Sequence, residues 1–172
     1  MCVANCPAGY YKNTSNNECS PCNSSCATCT GPASTNCLSC SLPLYFKDSA
    51  KECVTLCDPD QFGSPTPTPA CLSCNPSCHT CSSASASSCV TCTGSLYLDG
   101  SSSSCVSNCP SGTFKEISTN KCAACNTSCT TCTGSSNSEC LSCTLPNFFQ
   151  SSTSTCVGTC NSNQFSLSSL TP

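Results

Sequence analysis

The chain has no tryptophan and no arginine, and a single methionine (Met1), isoleucine (Ile117) and histidine (His79). Leu, Ile, Val and Phe together number 23 of 172 residues, below the ~20% share under which apolar burial rarely holds a chain folded. A conventional hydrophobic core of this length is thereby excluded. No apolar run approaches the ~18 residues that a membrane-crossing helix needs, so no membrane insertion is expected. Charge is equally sparse, with five basic and eight acidic residues for a net charge of −3. A nucleic-acid partner needs a basic patch to displace counterions from phosphates, and the sequence has none. His79 has no carboxylate near it in sequence to complete a hydrolytic triad, and the eight acids are scattered. The chain reads as a non-enzyme without a cofactor.

Cysteine is abundant, with 26 copies, and serine and threonine together fill about a third of the positions, far above ordinary usage. Covalent cross-links must replace the missing core. Disulfides require an oxidising compartment, so the expected location is extracellular or at the cell surface, with hydroxyl side chains supplying solubility. The opening Met1-Cys2-Val3-Ala4-Asn5-Cys6 has neither the basic nor the apolar region of a secretory signal. The expectation is an internal slice of a longer array.

The cysteines recur with a nearly constant period. The first set is Cys2, Cys6, Cys19, Cys22, Cys26, Cys29, Cys37 and Cys40. The second is Cys53, Cys57, Cys71, Cys74, Cys78, Cys81, Cys89 and Cys92. The third is Cys105, Cys109, Cys122, Cys125, Cys129, Cys132, Cys140 and Cys143, and Cys156 and Cys160 open a fourth. Internal repeats of this length mean a stacked array. The units read as 1–52, 53–104 and 105–155, with the start of another at 156–172. Aromatics follow the same period. Tyr11, Phe62, Phe114 and Phe165 share one slot, and Tyr45, Tyr97 and Phe148 another. Each lies in one of the longer segments between cysteines, which reads as a two-stranded finger closed at its base. Turn signals such as Pro7-Ala8-Gly9, Thr30-Gly31-Pro32 and Asp99-Gly100 are dense. Short β-ribbons with almost no helix are expected.

Zinc is the sharpest chemical alternative. Cys19-x2-Cys22 followed by Cys37-x2-Cys40 approximates a four-thiolate spacing, but it leaves Cys26 and Cys29 over. Cys78-His79-Thr80-Cys81 has a thiol-redox form, yet Ala27 and Thr130 fill the histidine's slot in the other repeats. Three N-glycosylation sequons occur, at Asn13, Asn23 and Asn126, while Pro76 excludes Asn75. Asn23 and Asn126 occupy the same slot. Ser64-Pro65-Thr66-Pro67-Thr68-Pro69 is a low-complexity stretch of extended backbone and a candidate for O-linked sugars.

The run from Cys22 to Cys40, with Cys26-Ala27-Thr28-Cys29-Thr30-Gly31-Pro32 and Cys37-Leu38-Ser39-Cys40, resembles the furin-like cysteine-rich repeat, a module shared with growth-factor receptors. The third repeat matches it through Cys129-Thr130-Thr131-Cys132-Thr133-Gly134 and Cys140-Leu141-Ser142-Cys143. A C-P-x-G element recurs at Cys6-Pro7-Ala8-Gly9 and Cys109-Pro110-Ser111-Gly112. The second repeat departs from it at Cys57-Asp58-Pro59-Asp60 and at Ser82–Ser88, and the fourth start at Cys160-Asn161-Ser162-Asn163. The style of the sequence looks like that of large cysteine-rich surface proteins of ciliates and other protists.

The resemblance implies a small disulfide-rich fold: an elongated rod of three such repeats plus the start of a fourth. Sequence counts alone leave the pairing open, since even eight cysteines allow 105 arrangements. What the resemblance implies is Cys6–Cys19, Cys22–Cys29, Cys26–Cys37 and Cys40–Cys53 in the first repeat. It implies Cys57–Cys71, Cys74–Cys81, Cys78–Cys89 and Cys92–Cys105 in the second. In the third it implies Cys109–Cys122, Cys125–Cys132, Cys129–Cys140 and Cys143–Cys156. By the same rule Cys2 and Cys160 lack partners within the chain. The functional expectation is a structural spacer, coat or fibre component that joins further copies or repeats of itself head to tail. The alternatives are a ligand-binding segment of a receptor ectodomain and an intracellular thiolate zinc protein.

Overall fold

The structure, a computed structural model, describes residues 5–160. Among them there is no α-helix, only short strands and one 3-10 turn at Ser34–Asn36. The chain divides into two compact units, Met1–Val90 and Thr91–Pro172.

The first unit begins with the hairpin of β1 (Tyr10–Asn13) and β2 (Glu18–Pro21). It continues with the bulged pair of β3 (Cys26–Cys29) and β4 (Cys37–Cys40). Two further hairpins follow: β5 (Tyr45–Lys47) with β6 (Glu52–Val54), and β7 (Gln61–Ser64) with β8 (Ala70–Ser73). A parallel bridge between Phe46 and Ala70 joins them into one sheet of order β6-β5-β8-β7. The ribbon of β9 (Cys78–Cys81) and β10 (Cys89–Cys92) comes next, and the boundary between units falls inside β10.

The second unit repeats the scheme. β11 (Tyr97–Asp99) and β12 (Ser104–Val106) form one hairpin, and β13 (Thr113–Glu116) and β14 (Lys121–Ala124) the next. Leu98 bridges to Lys121 in parallel, giving the order β12-β11-β14-β13. The bulged pair β15 (Cys129–Cys132) and β16 (Cys140–Cys143) and the hairpin β17 (Phe148–Gln150) and β18 (Thr155–Val157) complete it.

The strands are short, three or four residues each, with turns and bends between them, and many of the cysteines lie within them or at their ends. Most hairpin tips close through a residue in the left-handed region two places before the closing cysteine: Asn17, Lys51, Ser103, Asn120 and Ser154. That region disfavours most side chains and tolerates Asn best. Gly9 and Gly112 need it too, with φ of 82° and 84°. Each donates its N–H across to β3 or β15, at Ala27 or Thr130 respectively, and accepts from Cys22 or Cys125.

The core is made of sulfur. Among the described residues, every member of the buried apolar set is a cysteine: Cys26, Cys29, Cys37, Cys40, Cys78, Cys89, Cys129, Cys132 and Cys140. Tyr11 and Phe46 pack against the first cluster and Phe114 against the third-repeat cluster. These aromatics reach the cystines from the fingers, which are otherwise too short to hold a face of their own.

Candidate functional site

The recurring contact in both units is the junction where one hairpin meets the next finger. In the first unit the Phe46 N–H donates to the Pro69 carbonyl at 3.0 Å. In the second the Leu98 N–H donates to the Asn120 carbonyl at 2.9 Å. Both acceptors stand two places before the cysteine that closes the finger. The aromatic before the donor also turns onto the finger. Tyr45 lies over Gly63 of β7 so closely that a Cβ there would stand 2.7–2.8 Å from three ring carbons. In the second unit the same slot holds Lys115, whose ammonium lies 5.5 Å from the Tyr97 ring centroid, a cation–π contact worth about 0.5–1 kcal/mol. Lys47 closes the first junction through Asp58 at 2.8 Å. The hydrogen bond to Asp58 is the main reason the Lys47 pKa is raised, with nearby acids adding to it against partial burial.

The structure joins Cys6 to Cys19, Cys22 to Cys29, Cys26 to Cys37 and Cys40 to Cys53. It joins Cys57 to Cys71, Cys74 to Cys81, Cys78 to Cys89 and Cys92 to Cys105. In the third repeat it joins Cys109 to Cys122, Cys125 to Cys132, Cys129 to Cys140 and Cys143 to Cys156. The bridged residues are 7 to 14 apart. Each closed loop removes about 2–3 kcal/mol of unfolded-state freedom. Cys160 is a free thiol, and Cys2 lies outside the described residues.

These bonds bear on the chemical alternatives. Cys78 and Cys81 belong to two different bridges, so they do not form a dithiol–disulfide couple around the exposed His79. The zinc-spaced Cys19, Cys22, Cys37 and Cys40 sit in four separate bridges. One group of three sulfurs, Cys129, Cys140 and Cys156, lies within 4.8 Å of one another. All three are bridged, and a cystine sulfur is not the thiolate that holds zinc.

The loops carry the polar work. The residue after the sixth cysteine donates to the residue before the seventh in every repeat: Thr30 to Asn36, Ser82 to Ser88 and Thr133 to Glu139. Where the next slot is Gly31 or Gly134, the side chain of Asn36 or Glu139 fills the space of the missing Cβ. Where it is Ser83, the partner is the short Ser88, at 2.6 Å between hydroxyls. That paired exchange explains how Ser82–Ser88 replaces the glycine turn. Asp99, only 9% exposed, accepts from the Ser102 and Ser101 hydroxyls and the Ser101 N–H. Those bonds, the Ser102 hydroxyl first, lower its pKa. Asn13 lies on β1, while Asn23 and Asn126 lie in equivalent loops before β3 and β15. Residues 65–68 of the Pro-Thr stretch are exposed at the tip of the β7–β8 finger. Nothing in the sequence marks the Tyr45–Gly63 contact, whereas the Asp99 cap stands at the Asp99-Gly100 turn that the sequence does signal. The recurrence of Asn-x-Ser at Asn75, in the second repeat, is the available sign that this asparagine slot is structural.

No family model matches the chain. It is 35% identical over 164 residues to Cysteine repeat modular protein 2 of Tetrahymena thermophila, covering 90% of this chain and 8% of that protein. It is 31% identical over 142 residues to Furin-like protease 2 of Drosophila melanogaster, covering 83% of this chain and 8% of that protein. With the human Extracellular matrix organizing protein FRAS1 the identity is 33% over 144 residues, covering 83% of this chain and 3% of that protein. The chain therefore spans less than a tenth of the length of these relatives. Twelve cystines need an oxidising medium, and one of these relatives is by name an extracellular matrix protein. The chain is extracellular or displayed at the cell surface. With its period, its cystine ladder and these likenesses together, it is a furin-like cysteine-rich repeat protein.

Proposed function

We propose that the chain is a non-enzymatic structural segment, a stiff spacer or coat element whose repeats stack head to tail, with units at 1–52, 53–104 and 105–155 and another beginning at 156. The supporting observation is the junction built twice to one plan, Phe46 to Pro69 and Leu98 to Asn120. The hairpin β17–β18 carries the same edge a third time. Its Phe149 is 43% exposed, whereas Phe46 and Leu98, in the same slot, are half-buried. In such an array each repeat contacts only its neighbours. No catalytic role attaches to it, and the relatives' own activities are not carried over to this chain.

A second reading, a ligand-binding segment of a receptor, draws on the second repeat. Its finger has a separation of 14 between bridged cysteines against 13 in the other two, and its turn at Ser82–Ser88 is built differently. Small-angle scattering of the oxidised chain tests the first reading. A compact globule of this length has a radius of gyration of about 16 Å. The array reading expects a value well above that, and a value near it would overturn the proposal.

A further inference from the structure

One side chain is used identically in all three repeats. The Oδ1 of Asn23, Asn75 and Asn126 accepts the N–H of the serine two residues on, at 3.1 Å each time. It also accepts that serine's hydroxyl, at 2.9, 2.9 and 2.8 Å. The hydroxyl in turn rests 3.9–4.0 Å from the sulfur of Cys37, Cys89 or Cys140. The Asn-x-Ser triplet therefore braces the loop against a buried cystine, and it persists at Asn75, where Pro76 makes glycosylation impossible. The brace engages only the acceptor end of the amide. The Nδ2 of Asn23 and of Asn126 takes no part in it, and the middle residues Ser24 and Thr127 are exposed. Asn13, the remaining sequon, is held at both ends: its Nδ2 donates to Ser20 Oγ at 3.2 Å and its Oδ1 accepts from Ser15 N–H.

We infer that Asn23 and Asn126 carry N-linked glycans at one equivalent slot of the first and third repeats, and that Asn13 stays bare. The donor is a lipid-diphosphate-linked oligosaccharide. Nδ2 bonds to the anomeric carbon, the carbon–oxygen bond to the diphosphate breaks, the lipid diphosphate leaves, and Nδ2 gives up one proton. The Oδ1 brace survives, because the substituted nitrogen lies outside it. Only Pro76 separates the second repeat from the same fate, since a proline in the middle position blocks the sequon.

The test is to secrete the full chain from a eukaryotic host and release its glycans with an amidase in heavy-oxygen water. Each formerly glycosylated asparagine then becomes a heavy-labelled aspartate, read by peptide mass. The expected labels fall at Asn23 and Asn126 and not at Asn13. In Pro76→Ala a third label appears at Asn75, with one more glycan in the intact mass. Folded protein without label at Asn23 and Asn126, or with label at Asn13, overturns the assignment. A folded Pro76→Ala chain with no label at Asn75 overturns the equivalence of the slots. Should that variant not be secreted, the wild-type map still decides the first point.

Discussion

Gly63→Ala probes the first junction directly. A Cβ at this position would meet Cζ, Cε1 and Cε2 of Tyr45 at 2.7–2.8 Å, where ordinary carbon contacts begin near ~3.5 Å. The ring must withdraw by about 0.7 Å to restore that spacing. The Tyr45 backbone is fixed in β5 by its pairing with Val54, and the ring itself turns only about χ1 and χ2. Relief comes from moving β5 off β8, which stretches the 3.0 Å bond from Phe46 N–H to the Pro69 carbonyl to about 3.7 Å, beyond hydrogen-bonding range. Overpacking of this kind costs about 1–3 kcal/mol, and removing a strand glycine returns about 0.5–1 kcal/mol. The net loss is about 1–2 kcal/mol, a five- to thirtyfold change. Amide hydrogen exchange on the oxidised chain reads it residue by residue. The Phe46 amide should lose five- to thirtyfold of its protection, while the Leu98 amide, in the other unit, keeps its own. Adding Tyr45→Leu should restore most of the loss. Unchanged protection at Phe46 in a folded Gly63→Ala chain, or an equal fall at Leu98, would refute the steric account.

The turn at Gly31 makes a paired prediction. Gly31→Ala should cost about 1 kcal/mol by driving the Asn36 side chain from its bond with the Ala33 N–H. Asn36→Ser in the same chain should recover most of it, as Ser83 and Ser88 already do; denaturant midpoints of the oxidised proteins check this. Because the folded-state pKa of Asp99 is depressed, its cap is fully present above the ordinary carboxylate range and is lost as pH falls through the lower folded value. The Ser101 amide should therefore exchange faster only in acid, and Asp99→Asn should remove that dependence. Lys47 runs the other way: its raised pKa means the Asp58 contact holds below the ordinary lysine range, ~10.4, and fails as pH rises through the folded value. A Lys47→Met chain should lack that alkaline loosening. Reduction should erase every protected amide, since 23 Leu, Ile, Val and Phe residues cannot offset the chain entropy of 172. Cooperative unfolding that survives reduction would show a core independent of sulfur.

Composition and period are enough for the fold class, because both are local and covalent. A chain with so little apolar area has only cross-links to hold it, and so regular a cysteine period is legible without knowing where any sulfur points. The compartment follows from the same count. What spacing leaves open is which groups meet across the turns. Tyr45 and Gly63 are unconnected letters, well separated in the chain, until β5 swings beside the next finger. Gly31 and Asn36 look like an ordinary turn until the turn brings one side chain into the space left by the other's missing Cβ. Asn75 reads as a failed sequon, yet the backbone of its loop aims its carbonyl oxygen at Ser77 as firmly as in its two sister repeats. Such contacts depend on the direction of the chain as it leaves each cystine, and that direction is set only when all the bridges of a repeat close together.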